Sequence, residues 1–253
     1  MVVYRCENSI ESIFTAVYLA YEHKKKREEV YLALHDDPIL FSEDIYVIPD
    51  KIKTIKVMNT LQKRFGEEDY RSLCKALASE DPKKAQAVYG TIYHGLEVNC
   101  KPGHLLEQLT DDDILKTFQL ARNSGREIQH LMGFLRFQET EGKLLFAKIG
   151  PKNNILTFLM PHFADRLPME NFVVYDDIRD FFGIHPAGKQ WYLYRSGEGK
   201  EPILRLTEDE IRYRELFQHF CQSIAIKARE NSKLQMQMCP LRFQKYMMEF
   251  DSL

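Results

Sequence analysis

The sequence predicts an α+β fold: a central antiparallel or mixed sheet with one crossing helix, flanked by an N-terminal α/β segment and several helices. Three observations predict it. Strand and helix signals alternate over the first fifty residues, helical periodicity fills residues 52 to 98, and short β-rich runs divided by turn residues cluster between 130 and 195. At 253 residues and 44% hydrophobic content the chain can bury a full core, as one large domain or two small ones.

The elements follow in order. A β-rich run at residues 2 to 6 leads into a helix that Asn8 can cap, with Glu11 as the third-position partner. Ile10, Ile13, Phe14, Val17, Tyr18 and Tyr21 form its apolar stripe. The tail Lys24-Lys25-Lys26-Arg27 suits a helix C-terminus, where positive charge offsets the macrodipole; phosphate binding is the alternative use. Val30 to Leu34 and Ile45 to Ile48 read as strands. Three helices are expected from Ile52 to about Val98, broken at Gly66 and at Asp81-Pro82. Lys101-Pro102-Gly103 interrupts the pattern. It is the expected boundary between an N-terminal α/β and helical region, 1–103, and a sheet-plus-helix region, 104–253, closed by C-terminal helices. Thr110, with Asp113 three residues on, opens a helix whose Ile114, Leu115 and Phe118 face inward.

His130 to Glu139 and Lys143 to Ile149 read as two strands of a hairpin turning at Glu141-Gly142. Residues 154 to 166 read as a helix that Pro161 kinks or restarts. Strands are expected around 171 to 175, 180 to 184 and 190 to 195, with His185-Pro186-Ala187-Gly188 turning between the last two. After the polar loop Ser196 to Lys200, Thr207 and Glu210 make a capping box for a helix striped by Tyr213, Phe217, Phe220, Cys221 and Ile224. Pro240 starts a final helix that buries Phe243, Met247 and Phe250.

Composition narrows the function classes. A net charge of −2 argues against a globally polycationic DNA-coating protein, so any nucleic-acid contact is regional. The five cysteines, Cys6, Cys74, Cys100, Cys221 and Cys239, stand far apart with no CxxC pair, so neither a metal nor any other cofactor of its own is expected. Their odd count, without an apolar leader, points to reduced thiols and a cytoplasmic location. No apolar run approaches a membrane span. The phosphate-loop, dinucleotide, zinc-protease and nucleophile-elbow motifs are missing.

Three groups of residues are candidates for chemistry. Lys227, Arg229, Lys233, Arg242 and Lys245 set five basic side chains against one acidic residue between positions 227 and 245. Such a cluster neutralises phosphates; a solvated helix end accounts for it as well. Leu131 to Phe137 interleaves aromatics with Arg136, as a base-stacking strand does, although core filling gives the same pattern. Arg136 in such a strand needs an acidic partner, solvent or a ligand. His162 and Arg166 lie one helical turn apart, and Asp176 and Arg179 bracket a turn. Together they suit either acid–base chemistry or a set of caps and ion pairs, with His162 and Asp176 the catalytic candidates.

The run Arg126-Glu127 through His130 to Phe137, then Ile155-Leu156, His162 to Arg166, Tyr175 to Arg179, and the closing Ile226 to Gln235 and Pro240 to Phe243, resembles a bacterial family of unknown function described as DNA metabolism or repair proteins. That resemblance implies association with a radical S-adenosylmethionine protein that modifies or repairs DNA. In related chains it implies fusion to a uracil-DNA glycosylase-like domain. The expected role is therefore an accessory protein that binds DNA or presents it to a radical S-adenosylmethionine partner. An enzyme acting on a nucleic-acid base or phosphate, and a plain protein–protein interaction module, are the alternatives.

Overall fold

A computed structural model describes residues 1–34, 39, 41–195 and 205–250, and leaves out the side chain of Lys227. The loop Ser196 to Lys200 and the Lys227 side chain, both singled out above, lie outside the described residues. The fold is α+β, with two sheets among the described residues. The chain divides into two compact units, Met1–Gly125 and Arg126–Leu253.

The first unit starts with β1 (Val2–Cys6), α1 (Ile10–Glu22), β2 (Val30–Leu34) and β3 (Glu43–Tyr46). It continues with α2 (Lys51–Leu77) and α3 (Lys84–Glu97). The strands form a parallel sheet in the order β2-β1-β3. β1, at its centre, is buried at every position, which is why it reads as an unbroken β-rich run. Ile13, Phe14 and Val17 of α1 join its core with Leu61, Phe65 and Leu73 of α2. The α1 cap is Ser9, one residue beyond Asn8: the Ser9 hydroxyl accepts from the Ser12 N–H at 3.1 Å, while the Asn8 amide donates to Glu80. At Gly66 the backbone of α2 leaves helical geometry (φ 83°, ψ 172°), so residues 51 to 97 hold three helical segments, as the punctuation predicted.

The basic run begins beyond the end of α1 and places no basic residue in its last turn, so the expected offset of the macrodipole falls away; Arg27 has a different use within the fold. The Arg27 guanidinium donates to both oxygens of Asp111 at 2.8 and 3.0 Å and to Asp113 at 2.7 Å. Asp111, in turn, rather than Thr110, caps the next helix, accepting from the N–H groups of Asp113 and Ile114.

That helix, α4 (Asp112–Phe134), overturns one expectation: His130 to Phe134 are helical, and the strand that follows is only β4 (Gln138–Thr140). The reason is periodicity. Ile114, Thr117, Leu120, Ala121, Ser124, Ile128, Leu131 and Leu135 are buried at spacings of three and four, a stripe that outlasts the seven-residue alternation read as a strand.

The second unit continues with β5 (Leu144–Ile149), α5 (Leu156–Arg166), β6 (Phe172–Asp176), β7 (Phe181–His185) and β8 (Tyr192–Arg195). Its sheet runs in the order β4-β5-β6-β7-β8. β5 and β6 are parallel because α5 carries the chain back between them; the other neighbours are antiparallel. One face, bearing Ala147, Ile149, Phe172, Val174, Asp176 and His185, is buried. α5 packs on that face, with Met160 at Gly183 and Phe163 against Phe137, whose ring also meets Phe172. The opposite face carries Phe146, Lys148, Val173, Tyr175, Phe182, Ile184, Tyr192 and Tyr194.

α6 (Glu208–Ile224), α7 (Ser232–Met238) and α8 (Leu241–Gln244) complete the unit. The Thr207 hydroxyl accepts from the Glu210 N–H as foreseen, but the Glu210 carboxylate takes the N–H of Glu139 instead of closing the box. No residue of α6 is buried, so its stripe faces outward: Tyr213, Phe220 and Ile224 are each more than half exposed. Phe243 and Met247 are buried as expected, but Phe250 is only half-buried and the helix expected to carry all three ends at Gln244.

Candidate functional site

The loop after β5, Gly150-Pro151-Lys152-Asn153, is held from two sides by buried charge. Below it stands Glu127, an acid on the buried stripe of α4 and only 2% exposed. Its carboxylate accepts from the N–H groups of Lys152 (2.8 Å) and Asn153 (2.9 Å), from the Asn153 side-chain amide (2.7 Å), and pairs with the Arg242 guanidinium at 3.3 Å. From the other side Arg179 donates to the Pro151 and Lys152 carbonyls and to Asp176 Oδ2 at 3.1 Å. Asp176 has no exposure and also accepts from the N–H groups of Ile178 and Arg179. Burial pushes its carboxyl above the usual carboxylate range, against the pull of Arg179.

Tyr246 closes the cradle. Its hydroxyl donates to the Asp177 carboxylate at 2.9 Å and lies so close to Gly150 that a Cβ there would fall 2.0 Å from the oxygen. Lys148 Nζ pairs with the same Asp177 at 3.6 Å. Lys245 places its ammonium over the Tyr246 ring, 4.3 Å from the centroid. Lys152, Arg242 and Lys245 thus border one loop at the carboxyl end of the parallel β5/β6 pair, and all three are exposed. Glu127 offsets part of the Arg242 charge, while Lys152 and Lys245 have no ion pair among the described residues.

Of the cations singled out from sequence, Arg242 and Lys245 belong to this rim. Arg179 is internal to it, its charge spent on Asp176 and on loop carbonyls. Arg136 pairs with Glu249 through Nε and Nη2 at 3.2 and 2.7 Å. Arg166 is exposed at the far end of α5, and because α5 runs from the end of β5 back to the start of β6, it lies toward the opposite end of these strands from the loop. Arg229 and Lys233 are exposed, and no described contact ties them to the rim. His162, half-buried on α5, meets the edge of Phe163. Asp176 is paired with Arg179, not with His162. Among the described residues no three His, Cys, Asp or Glu side chains gather as a metal site would require.

Lys148, Lys152 and Tyr246 were not singled out from the sequence, and Glu127 and Asp177 entered only within the runs that carry the family resemblance, with no site role. Glu127 carried a usable signal: once α4 is recognised, an acid falls on its apolar stripe and must have partners. Lys152 and Tyr246 had none, since only folding brings positions almost a hundred residues apart to one loop.

No curated protein matches this chain. Residues 82–249 match the profile of DUF4130, a domain of unknown function, and that stretch contains every residue of the cradle. The match spans well over half of the sequence, and the chain belongs to the DUF4130 family.

Proposed function

We propose that this protein is an accessory factor of bacterial DNA repair or modification that binds DNA and presents it to a radical S-adenosylmethionine enzyme. The observation that carries the proposal is the rim of Lys152, Arg242 and Lys245 around a loop fixed by Glu127 and Arg179. Phosphates are bound by cations held in place on a rigid support, and the buried bonds beneath this loop supply that support. The exposed stripe of α6 favours the accessory half of the proposal, because a protein partner needs an apolar surface of this kind. An active site built on His162 and Asp176 has less in its favour, since Asp176 is inaccessible and already bonded on both oxygens.

The test is fluorescence anisotropy of labelled single- and double-stranded DNA at low and moderate salt. Binding should weaken as salt rises, and K152A/R242A/K245A should flatten the dependence of log K on log salt by about two to three units, roughly one per lost phosphate contact. Absence of salt-sensitive binding to either probe rejects the proposal.

A further inference from the structure

The face of the five-stranded sheet opposite α5 carries a row of rings that starts at the basic rim and becomes exposed at the outer strand β8. In register across four strands stand Lys148, Tyr175, Phe182 and Tyr194. Tyr175 and Phe182 stack with centroids 4.5 Å apart, and Phe182 and Tyr194 are 6.2 Å apart. Tyr192, two residues from Tyr194 on the same face, adds a ring opposite Ile184. Burial is graded along the row: Tyr175 is buried, Phe182 half-buried, and Tyr192 and Tyr194 are 51% and 54% exposed. At the inner end Lys148 shares Asp177 with Tyr246, whose ring lies beneath the Lys245 ammonium. The acids beside the row are occupied, Asp177 by Lys148 and Tyr246, and Asp180 by the Tyr175 hydroxyl at 3.5 Å.

We infer that this face binds single-stranded DNA, its bases stacking on Tyr194, Tyr192 and Phe182 while its phosphates run toward Lys152, Arg242 and Lys245. The choice of DNA rests on the function proposed above; single-strandedness comes from the rings. Paired bases in a duplex keep their faces stacked inside the helix and cannot reach a flat row of rings, whereas an unpaired base can. Rings at alternate positions of one strand lie roughly 6.7 Å apart, twice the rise per residue, a spacing close to the repeat of an extended single strand. The cations at one end of the row match the backbone charge that such a strand carries with it. The base-stacking strand expected at Leu131 to Phe137 is helical up to Phe134, and the aromatic surface lies instead on β7 and β8.

The experiment compares four labelled probes of about twelve nucleotides, a length suited to one small binding face: oligothymidylate, an abasic strand of equal length, a duplex and oligouridylate. The wild-type chain should hold oligothymidylate most tightly. Y192A/Y194A, which alters only exposed edge residues, should weaken oligothymidylate binding by about tenfold or more and leave the abasic strand unchanged. Trp191, the only tryptophan of the chain, adjoins Tyr192, so its fluorescence should be quenched by oligothymidylate and not by the abasic strand. Tighter binding of oligouridylate overturns the choice of DNA; an unchanged affinity of Y192A/Y194A for oligothymidylate, an equal loss on the abasic strand, or tighter binding of duplex overturns the stacking face. In these latter cases a salt-sensitive affinity that falls in K152A/R242A/K245A leaves the general DNA-binding proposal standing. Failure of all four probes removes both.

Discussion

Removing the Glu127 carboxylate should unlock the loop it supports. In E127A the N–H groups of Lys152 and Asn153 and the Asn153 amide lose the acceptor that now holds them at 2.7 to 2.9 Å, in a place where Asn153 is 7% exposed. Hydrogen bonds to a charged group contribute about 1.5–3 kcal/mol each, and orphaned buried donors cost about 1–3 kcal/mol. Three such bonds do not add fully, because neighbouring losses share one relaxation and water partly fills the gap. A loss of about 3–5 kcal/mol is therefore expected, as for a broken buried ion pair. E127Q, which keeps one acceptor, should cost about 2–3 kcal/mol. R242A should cost about 1 kcal/mol or less, since that guanidinium is 44% exposed and its pairing is largely screened. Urea unfolding followed by circular dichroism at constant slope measures all three. An E127A cost under about 1 kcal/mol would show that the loop holds its shape without the carboxylate, and the case for a preorganised rim would collapse.

Three further outcomes follow from the same structure. G150A should destabilise by about 1–3 kcal/mol through overlap with Tyr246, and the cost should shrink in G150A/Y246A; additive costs in a melting series would contradict the contact. G66A should cost about 1–3 kcal/mol, because φ 83° with ψ 172° is a region that only glycine occupies readily, while a new Cβ would meet only the Pro102 side chain at 3.4 Å, an ordinary contact that adds no clash. The Arg27 hydrogen bonds hold the Asp111 carboxyl below the usual carboxylate range. A lowered folded-state value means stabilisation that is present above the unfolded value of about 3.9 and lost as pH falls through the folded one, so wild-type stability should drop on acidification more steeply than that of D111N. Parallel slopes for the two proteins would contradict that sign.

Local signals were read well where one face of an element is plainly apolar. The α1 stripe, the Gly66 break, the three short strands after residue 170 and the burial of Phe243 and Met247 all followed from spacing and turn chemistry. The strand expected at His130 to Glu139 failed over its first half because seven residues were weighed alone, while the helical period running into them from Asp112 carried the helix on to Phe134. The α6 stripe was legible as amphipathic, yet which side of it meets solvent was not, because amphipathicity states that two faces differ and leaves open what each one touches.

By itself the sequence determined the α+β class and most element positions; it left Arg136 to an acidic partner, solvent or a ligand, and the fold supplies Glu249, 113 positions away. Only the tertiary structure decided which charges remain outside. Arg27, Arg136 and Arg179 are absorbed by carboxylates, whereas Lys152, Lys245 and Arg242, the last still 44% exposed beside Glu127, come together at the edge of one loop. The physical reason is range: periodicity and capping act over a few residues, but pairing of charges and the meeting of rings across strands depend on which distant segments the packed sheet and helices bring within a few ångströms.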